Sequence, residues 1–153
     1  MDSILANVEL EEEGIYYRYL EGTIQEEDES LSMAVTRMAC KLAKETDAKA
    51  VIAMTSSGYT AIQLSQSRPK GQIFAFTNNR PILNTLNLVW GVKAFFYDDF
   101  ESTDKTIQDV HEILKEKELV RIGDIMINTG SMPLHERGLT NMIKISRVRG
   151  KNL

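Results

Sequence analysis

From Ser30 onward the apolar positions of the chain follow two alternating periods. Leu31, Ala34, Val35, Met38, Ala39, Leu42 and Ala43 recur at the three-and-four spacing that lines one helix face, which predicts a helix from Ser30 to about Asp47. Ala50-Val51-Ile52-Ala53-Met54 is instead a short continuous apolar run, the pattern of a strand buried on both faces. The alternation then repeats. A helix is predicted from Tyr59 to Gln66, a strand over Ile73–Phe76, and a helix from Arg80 through Val89, with Pro81 in the first turn where its missing N–H is tolerated. A strand over Lys93–Tyr97 and a helix over Thr103–Glu118 follow, the latter with Ile107, Val110, Ile113 and Leu114 facing inward. Gly123-Asp124 turns into a strand over Ile125–Ile127, and Met142–Val148 predicts the last strand.

Strands and helices alternating at this spacing imply an α/β fold. The expected form is a three-layer sandwich of about five mostly parallel strands with helices on both faces. The last connection carries no helix pattern, so the final strand is expected to be antiparallel and at an edge. Residues 1–28 lack either period and read as a lead-in, which leaves residues 29–153 as the folded domain. No internal repeat is present.

Composition narrows the class. With 153 residues, 42% hydrophobic and 26% charged, the chain resembles one ordinary globular domain, and a domain of that length buries roughly 70% of its unfolded surface without needing disulfides or a structural metal. Cys40 is the only cysteine, so no internal disulfide or cysteine zinc site can form. No apolar run approaches the roughly 18 residues of a membrane span, and Met1-Asp2-Ser3-Ile4 lacks the basic and apolar regions of a signal peptide. A cytoplasmic location with no membrane partner is expected. The net charge of −4 hides an asymmetry: residues 1–30 hold ten acids and one base, Arg18, leaving 17 bases against 12 acids in the remainder. That body is only mildly basic and has no basic run interleaved with aromatics, so a nucleic-acid partner has no support.

Two loops carry candidate chemistry. Thr55-Ser56-Ser57-Gly58-Tyr59-Thr60 lies between the first buried strand and a helix, where unpaired N–H groups and the positive end of the helix dipole suit a phosphate. The alternative is that Ser56 or Ser57 simply caps the helix while Gly58 relaxes the turn. Thr129 to Gly138 forms a long glycine-bounded connection at the end of a strand, and it would bring His135 or Arg137 toward those hydroxyls if both loops open on one sheet edge. The alternative there is an ordinary solvated surface loop. Neither a P-loop ending nor a GxGxxG fingerprint occurs. His111 beside Glu112 reads as a solvated helix pair, Cys40 as packed against the sheet, Asp98-Asp99 as a solvated turn, and Trp90 as core or interface. No catalytic cluster and no metal-ligand spacing emerges from these residues.

Ordered blocks from Ala48 to Val148 nevertheless resemble the C-terminal domain of pyruvate kinase. They are Ala50 through Ala61, Arg68-Pro69, Ile73 through Thr77, Leu88-Val89-Trp90-Gly91-Val92, Gly123-Asp124 and Gly138-Leu139-Thr140-Asn141. Met1 to Glu9 is similar to the end of the last catalytic-barrel helix, with an acidic linker after it, and Ser30 to Thr46 to the first helix of the C-terminal domain. The resemblance implies a regulatory and subunit-contact domain. Phosphoryl transfer from phosphoenolpyruvate to ADP, with magnesium and potassium, would belong to the barrel and lid domains of a full-length enzyme, so no cofactor and no catalytic residue is expected in this chain.

In family members activated by sugar phosphates, a Thr-x-Ser-Gly-x-Thr/Ser loop cradles a phosphate. That role carries over to Thr55, Ser57, Gly58 and Thr60, with Ser56 and Tyr59 at the variable positions, and His135, Arg137 and Gly138 are expected to complete the effector site. The tryptophan and arginine that hold a second phosphate in the family are replaced by Asp98-Asp99-Phe100-Glu101-Ser102-Thr103-Asp104, an acidic stretch that would repel one. A sugar monophosphate or nucleoside monophosphate therefore fits better than a bisphosphate. The resemblance also implies a homo-oligomer contact along Met142, Ile143, Lys144, Ile145, Ser146, Arg147 and Val148, and docking to the catalytic barrel. The alternative reading is a free-standing, non-catalytic domain that binds a phosphorylated metabolite.

Overall fold

A computed structural model of the chain describes residues 3–4, 6–7, 15–17, 19–20, 30–133 and 139–150. The described elements are α1 (Leu31–Glu45), β1 (Ala50–Met54), α2 (Tyr59–Gln66), β2 (Gln72–Thr77), α3 (Ile82–Leu86), β3 (Val92–Phe96), α4 (Thr103–Glu116), β4 (Ile125–Gly130) and β5 (Met142–Arg147). The strands form one five-stranded sheet in the order β3-β2-β1-β4-β5. Every pairing is parallel except β4 with β5, which runs antiparallel from Ile125↔Arg147 to Gly130↔Met142. The α/β architecture and the antiparallel edge strand are those the sequence predicts.

Strand β1 occupies the centre, and all five of its residues are buried. Because successive side chains of a strand point to opposite faces, Val51 and Ala53 join one core while Ala50, Ile52 and Met54 join the other. In β2, Ile73 and Ala75 share the first core and Phe74 and Phe76 the second. The first core takes Ala39, Cys40 and Ala43 from α1, Ala61 and Leu64 from α2 and Leu86 from α3. The second takes Ile107, Val110 and Leu114 from α4. Three helices therefore cover one face and α4 the other, as expected of a chain that winds from β1 out to β3 and then crosses back to β4.

The structure differs from the sequence reading at four elements. In α1 the buried face is Ser32, Thr36, Ala39, Cys40 and Ala43, whereas Leu31 and Met38 are exposed. The buried line of α1 is thus made of small side chains, and the larger Leu31 and Met38 face outward. Helix α3 spans five residues rather than the ten predicted, because its flanks close through tight i→i−3 bonds: Leu83 to Arg80, Leu88 to Thr85 and Val89 to Leu86. Strand β4 runs on to Gly130, so Thr129 and Gly130 belong to the sheet and not to the loop. At the other edge β5 ends at Arg147, and Val148 turns inward with its N–H bound to the Asp124 carbonyl.

Part of the predicted lead-in packs on the domain. The Tyr17 N–H donates to the Arg68 carbonyl at 2.9 Å, and Leu20 is buried in the first core. Trp90 is half-buried, with the Arg68 guanidinium 4.4 Å from its ring centre and Tyr16 at 6.3 Å. Residues 1–2, 5, 8–14, 18 and 21–29 lie outside the described residues.

The entry to β2 depends on Gly71. A Cβ there would lie 2.6 Å from the Ala48 carbonyl oxygen, a backbone atom on the chain leading into β1. Gly71→Ala must push the two backbones apart, and it is expected to cost about 1–3 kcal/mol. Urea unfolding should show a lower midpoint with an unchanged slope.

Candidate functional site

The carboxyl ends of β1, β2 and β4 open onto a cleft of about 580 Å³ lined by Met54, Thr55, Ser56, Ser57, Tyr59, Thr60, Asn78, Asn79, Ser131 and Thr140. Its position follows from the topology. The chain leaves β1 toward β2 on one side, while β4 lies on the other, so the connections diverge at this edge and leave a crevice, where open α/β sheets bind their ligands.

The β1–α2 turn is built by its own side chains. Thr55, buried, anchors to the sheet through its N–H to the Phe76 carbonyl at 3.0 Å, and its Oγ1 accepts the Gly58 N–H at 2.9 Å. Gly58 then adopts φ 85° at the start of α2, and a Cβ there would sit 2.9 Å from Leu86 Cδ2. Only glycine takes both the left-handed backbone and the close contact readily. Gly58 itself offers no side-chain cap to α2. The exposed Ser57 Oγ accepts the Tyr59 N–H at 3.4 Å, so one first-turn amide of α2 is met as the capping alternative expects. Ser56 is exposed as well, and its carbonyl accepts from Asn79 Nδ2 at 3.1 Å.

Thr60 ties the turn to the last connection. Its Oγ1 lies 2.6 Å from Thr140 Oγ1, both residues are buried, and the Thr140 N–H donates to Ser32 Oγ at 3.1 Å at the start of α1. Ser131 Oγ donates to the Leu139 carbonyl, and Asn141 exchanges hydrogen bonds with the Met132 backbone at 2.7 and 2.9 Å. The structure therefore brings the β4–β5 connection to the Thr55–Thr60 turn, as expected. His135, Arg137 and Gly138 themselves lie outside the described residues.

The cleft walls that are described carry hydroxyls and amides and no charged side chain. Asn78 and Asn79 are not among the sequence candidates, whereas Ser131 lies in the candidate Thr129–Gly138 connection and Thr140 in the Gly138–Asn141 block. The signal available for the asparagines was their place directly after β2, on the same sheet edge as the serine turn.

The other candidate groups lie elsewhere. Among residues 98–104, none lines the cleft. Lys105 draws Asp99 to 2.6 Å and Glu101 to 3.1 Å, which holds its ammonium above the ordinary lysine range, and Asp104 pairs with Lys144 at 2.6 Å. The acidic stretch is thus partly neutralised within the chain. Cys40 is fully buried with Sγ 3.8 Å from the Leu64 carbonyl, and burial pushes its thiol up to about 12, which leaves it unreactive. His111 is half-buried rather than solvated: its Nε2 lies 3.0 Å from Ser146 Oγ on β5. Among the described residues no group of three or more His, Cys, Asp or Glu side chains could hold a metal ion.

Comparison with known proteins places this architecture. A family model described as the pyruvate kinase alpha/beta domain matches residues 33–146. The pyruvate kinase of Lactobacillus delbrueckii is 33% identical over 116 residues, covering 76% of this chain and 20% of that protein. That of Clostridium acetobutylicum is 31% identical over 140 residues, covering 92% of this chain and 30% of its own length. A solved structure of Cryptosporidium parvum pyruvate kinase in complex with ADP superimposes with a TM-score of 0.75 at 26% identity, over 86% of this chain and 27% of that one. This chain thus spans under a third of the relatives it matches. With the family model covering most of its length, the chain belongs to the pyruvate kinase alpha/beta-domain family.

Proposed function

We propose that this chain acts as a non-catalytic, effector-binding and subunit-contact domain of a pyruvate kinase, and that the cleft at the β1–α2 turn takes the phosphate of a phosphorylated metabolite. The observation that carries the effector reading is the turn itself: four hydroxyl residues around a helix start whose N-cap is glycine, in the crevice at the carboxyl ends of the central strands. A phosphate bound there meets the positive end of the α2 dipole and first-turn N–H groups beyond those of Gly58 and Tyr59, which Thr55 Oγ1 and Ser57 Oγ already accept. The described walls carry no charged side chain, which favours a sugar monophosphate or nucleoside monophosphate over a bisphosphate. His135, Arg137 and Gly138 are proposed to close the site from the β4–β5 connection.

Subunit contact is proposed along Met142–Arg147. The two sheet edges differ in how they are covered. On β3 the Ala94 N–H is already taken by Asn87 Oδ1 at 2.9 Å, so the chain blocks that edge itself. On β5, Ile145 is 49% exposed and the strand pairs on one side only, with β4. A second copy can extend the sheet there about a two-fold axis, the commonest form of oligomer. Val148 is buried and contributes to the core beneath that contact. Magnesium and potassium are assigned to the catalytic domains of a longer enzyme, together with the cytoplasmic phosphoryl transfer of glycolysis.

Three outcomes test this reading. Phosphorylated metabolites screened by thermal shift should include a monophosphate that stabilises the chain by about 2–3 kcal/mol at roughly 100 times its Kd, with the gain reduced in Ser57→Ala; a screen in which no phosphorylated compound raises the melting temperature overturns the effector site. In sedimentation, the chain should form a dimer or larger assembly that Ile145→Lys weakens, and a strictly monomeric wild type at high micromolar concentration removes the contact. A preparation free of host enzyme should not turn over phosphoenolpyruvate and ADP with magnesium and potassium present, and measurable turnover contradicts the non-catalytic assignment.

A further inference from the structure

We propose that Arg80, seated over Phe96, is a platform for a nucleobase, so that the ligand whose phosphate meets the β1–α2 turn is a nucleoside monophosphate and not a sugar monophosphate. The inference rests on the phosphate reading of that turn and adds the other end of the ligand. It is carried by the pair itself. The Arg80 guanidinium carbon lies 3.7 Å from the Phe96 ring centre, and Arg80 follows directly on Asn79 of the cleft wall.

Three parallel strands end side by side here. Met54 pairs with Phe76 and Thr77 with Phe96, so Thr55, Thr77 and Phe96 fall on one line across β1, β2 and β3. The groups along that line differ in kind: the exposed hydroxyls of Ser56 and Ser57 after β1, the exposed amide of Asn78 after β2, and the Arg80–Phe96 pair at the end of β3. Adjacent strands are about 4.8 Å apart, so the outer two groups are separated by on the order of 10 Å. A phosphate, a ribose and a base joined in that order span such a distance, whereas a sugar phosphate alone ends before the aromatic pair. The two turns are also fixed against each other. The Asn79 N–H donates to Thr77 Oγ1 at 3.1 Å and its Nδ2 to the Ser56 carbonyl at 3.1 Å, while Asn78 beside it offers an amide donor and acceptor to ribose hydroxyls.

Arg80 is exposed and Phe96 half-buried, so the ring supports one side of the guanidinium and the other side meets solvent. A planar, weakly hydrated cation held in this way stacks on nucleobases, and its N–H groups reach acceptors on the base edge. Among the described residues no carboxylate pairs with Arg80. A second phosphate at this end is disfavoured by Asp98 and Asp99, which are exposed close after Phe96, whereas a neutral base meets no such repulsion. The competing role for Arg80 is to shield the Phe96 ring from water with its stem.

Calorimetric titration of the full chain with adenosine monophosphate and with ribose phosphate tests the platform. Wild type should bind the nucleotide about tenfold more tightly than the sugar phosphate, the gain expected of one stacked base. Arg80→Ala should remove that difference while leaving ribose phosphate binding and the melting temperature unchanged. Arg80→Lys keeps the charge and loses the plane, so it should not restore the preference. Nuclear Overhauser contacts between the base protons and the Arg80 side chain in wild type make the same test without a variant. Equal affinity of the two ligands in wild type, unaltered nucleotide affinity in Arg80→Ala, an equal loss for both ligands, or full rescue by Arg80→Lys overturns the platform while the phosphate reading of the turn stands. Binding of neither ligand removes the phosphate reading and the platform with it.

Discussion

Two-sided burial of β1 is the constraint on which the rest of the structure depends. Five consecutive residues with no exposed face can be accommodated only at the centre of a sheet that is covered above and below. That requirement places β2 and β4 on its flanks, sends α1, α2 and α3 to one side and α4 to the other, and leaves β3 and β5 as edges. It also sets where chemistry can occur. A strand with both faces and both edges occupied offers only its ends, and the carboxyl end of β1 is where the Thr55–Thr60 turn emerges beside the connections from β2 and β4.

The turn illustrates how rigidity and openness are divided. Thr55 and Thr60, the first and last of its hydroxyl residues, are buried and bonded, one to the Gly58 N–H and the other to Thr140. Ser56 and Ser57 between them are exposed. The buried pair fixes the backbone, and the exposed pair is left to meet solvent or a ligand. Gly58 makes the geometry possible, because its left-handed backbone and its contact with Leu86 exclude a side chain. The same division appears at β5, where Met142 and Val148 contribute to the core while Lys144 and Arg147 are exposed.

Family membership and sequence reading converge on the fold by different routes. The two bacterial relatives compared are identical to this chain at about a third of aligned positions, yet the mostly parallel α/β sheet and its antiparallel last strand follow from hydrophobic periods and connections that need no relative at all. The departures are also informative. The acidic stretch after β3 is held by Lys105 and by Lys144 from β5, so its charge is bound up with the packing of α4 against the sheet edge.

The sequence by itself determined the class of fold, the order of helices and strands, the edge position of the last strand and the serine turn as the place to look for a ligand. Those features rest on local periodicity and on residue types that act where they stand: continuous apolar runs, a glycine before a helix, a final connection with no helical pattern. Only the tertiary structure decided which residues meet across the chain. Thr140 beside Thr60, Asn79 beside Ser56 and Ser146 beside His111 are separated by 80, 23 and 35 positions, and no local pattern encodes those distances. Which apolar residues of α1 face inward, the small Ala39, Cys40 and Ala43 and not Leu31 or Met38, was likewise decided by packing. Hydrophobicity sets which elements form, but the space left between packed elements sets which side chains fit, and that space exists only once the layers have closed.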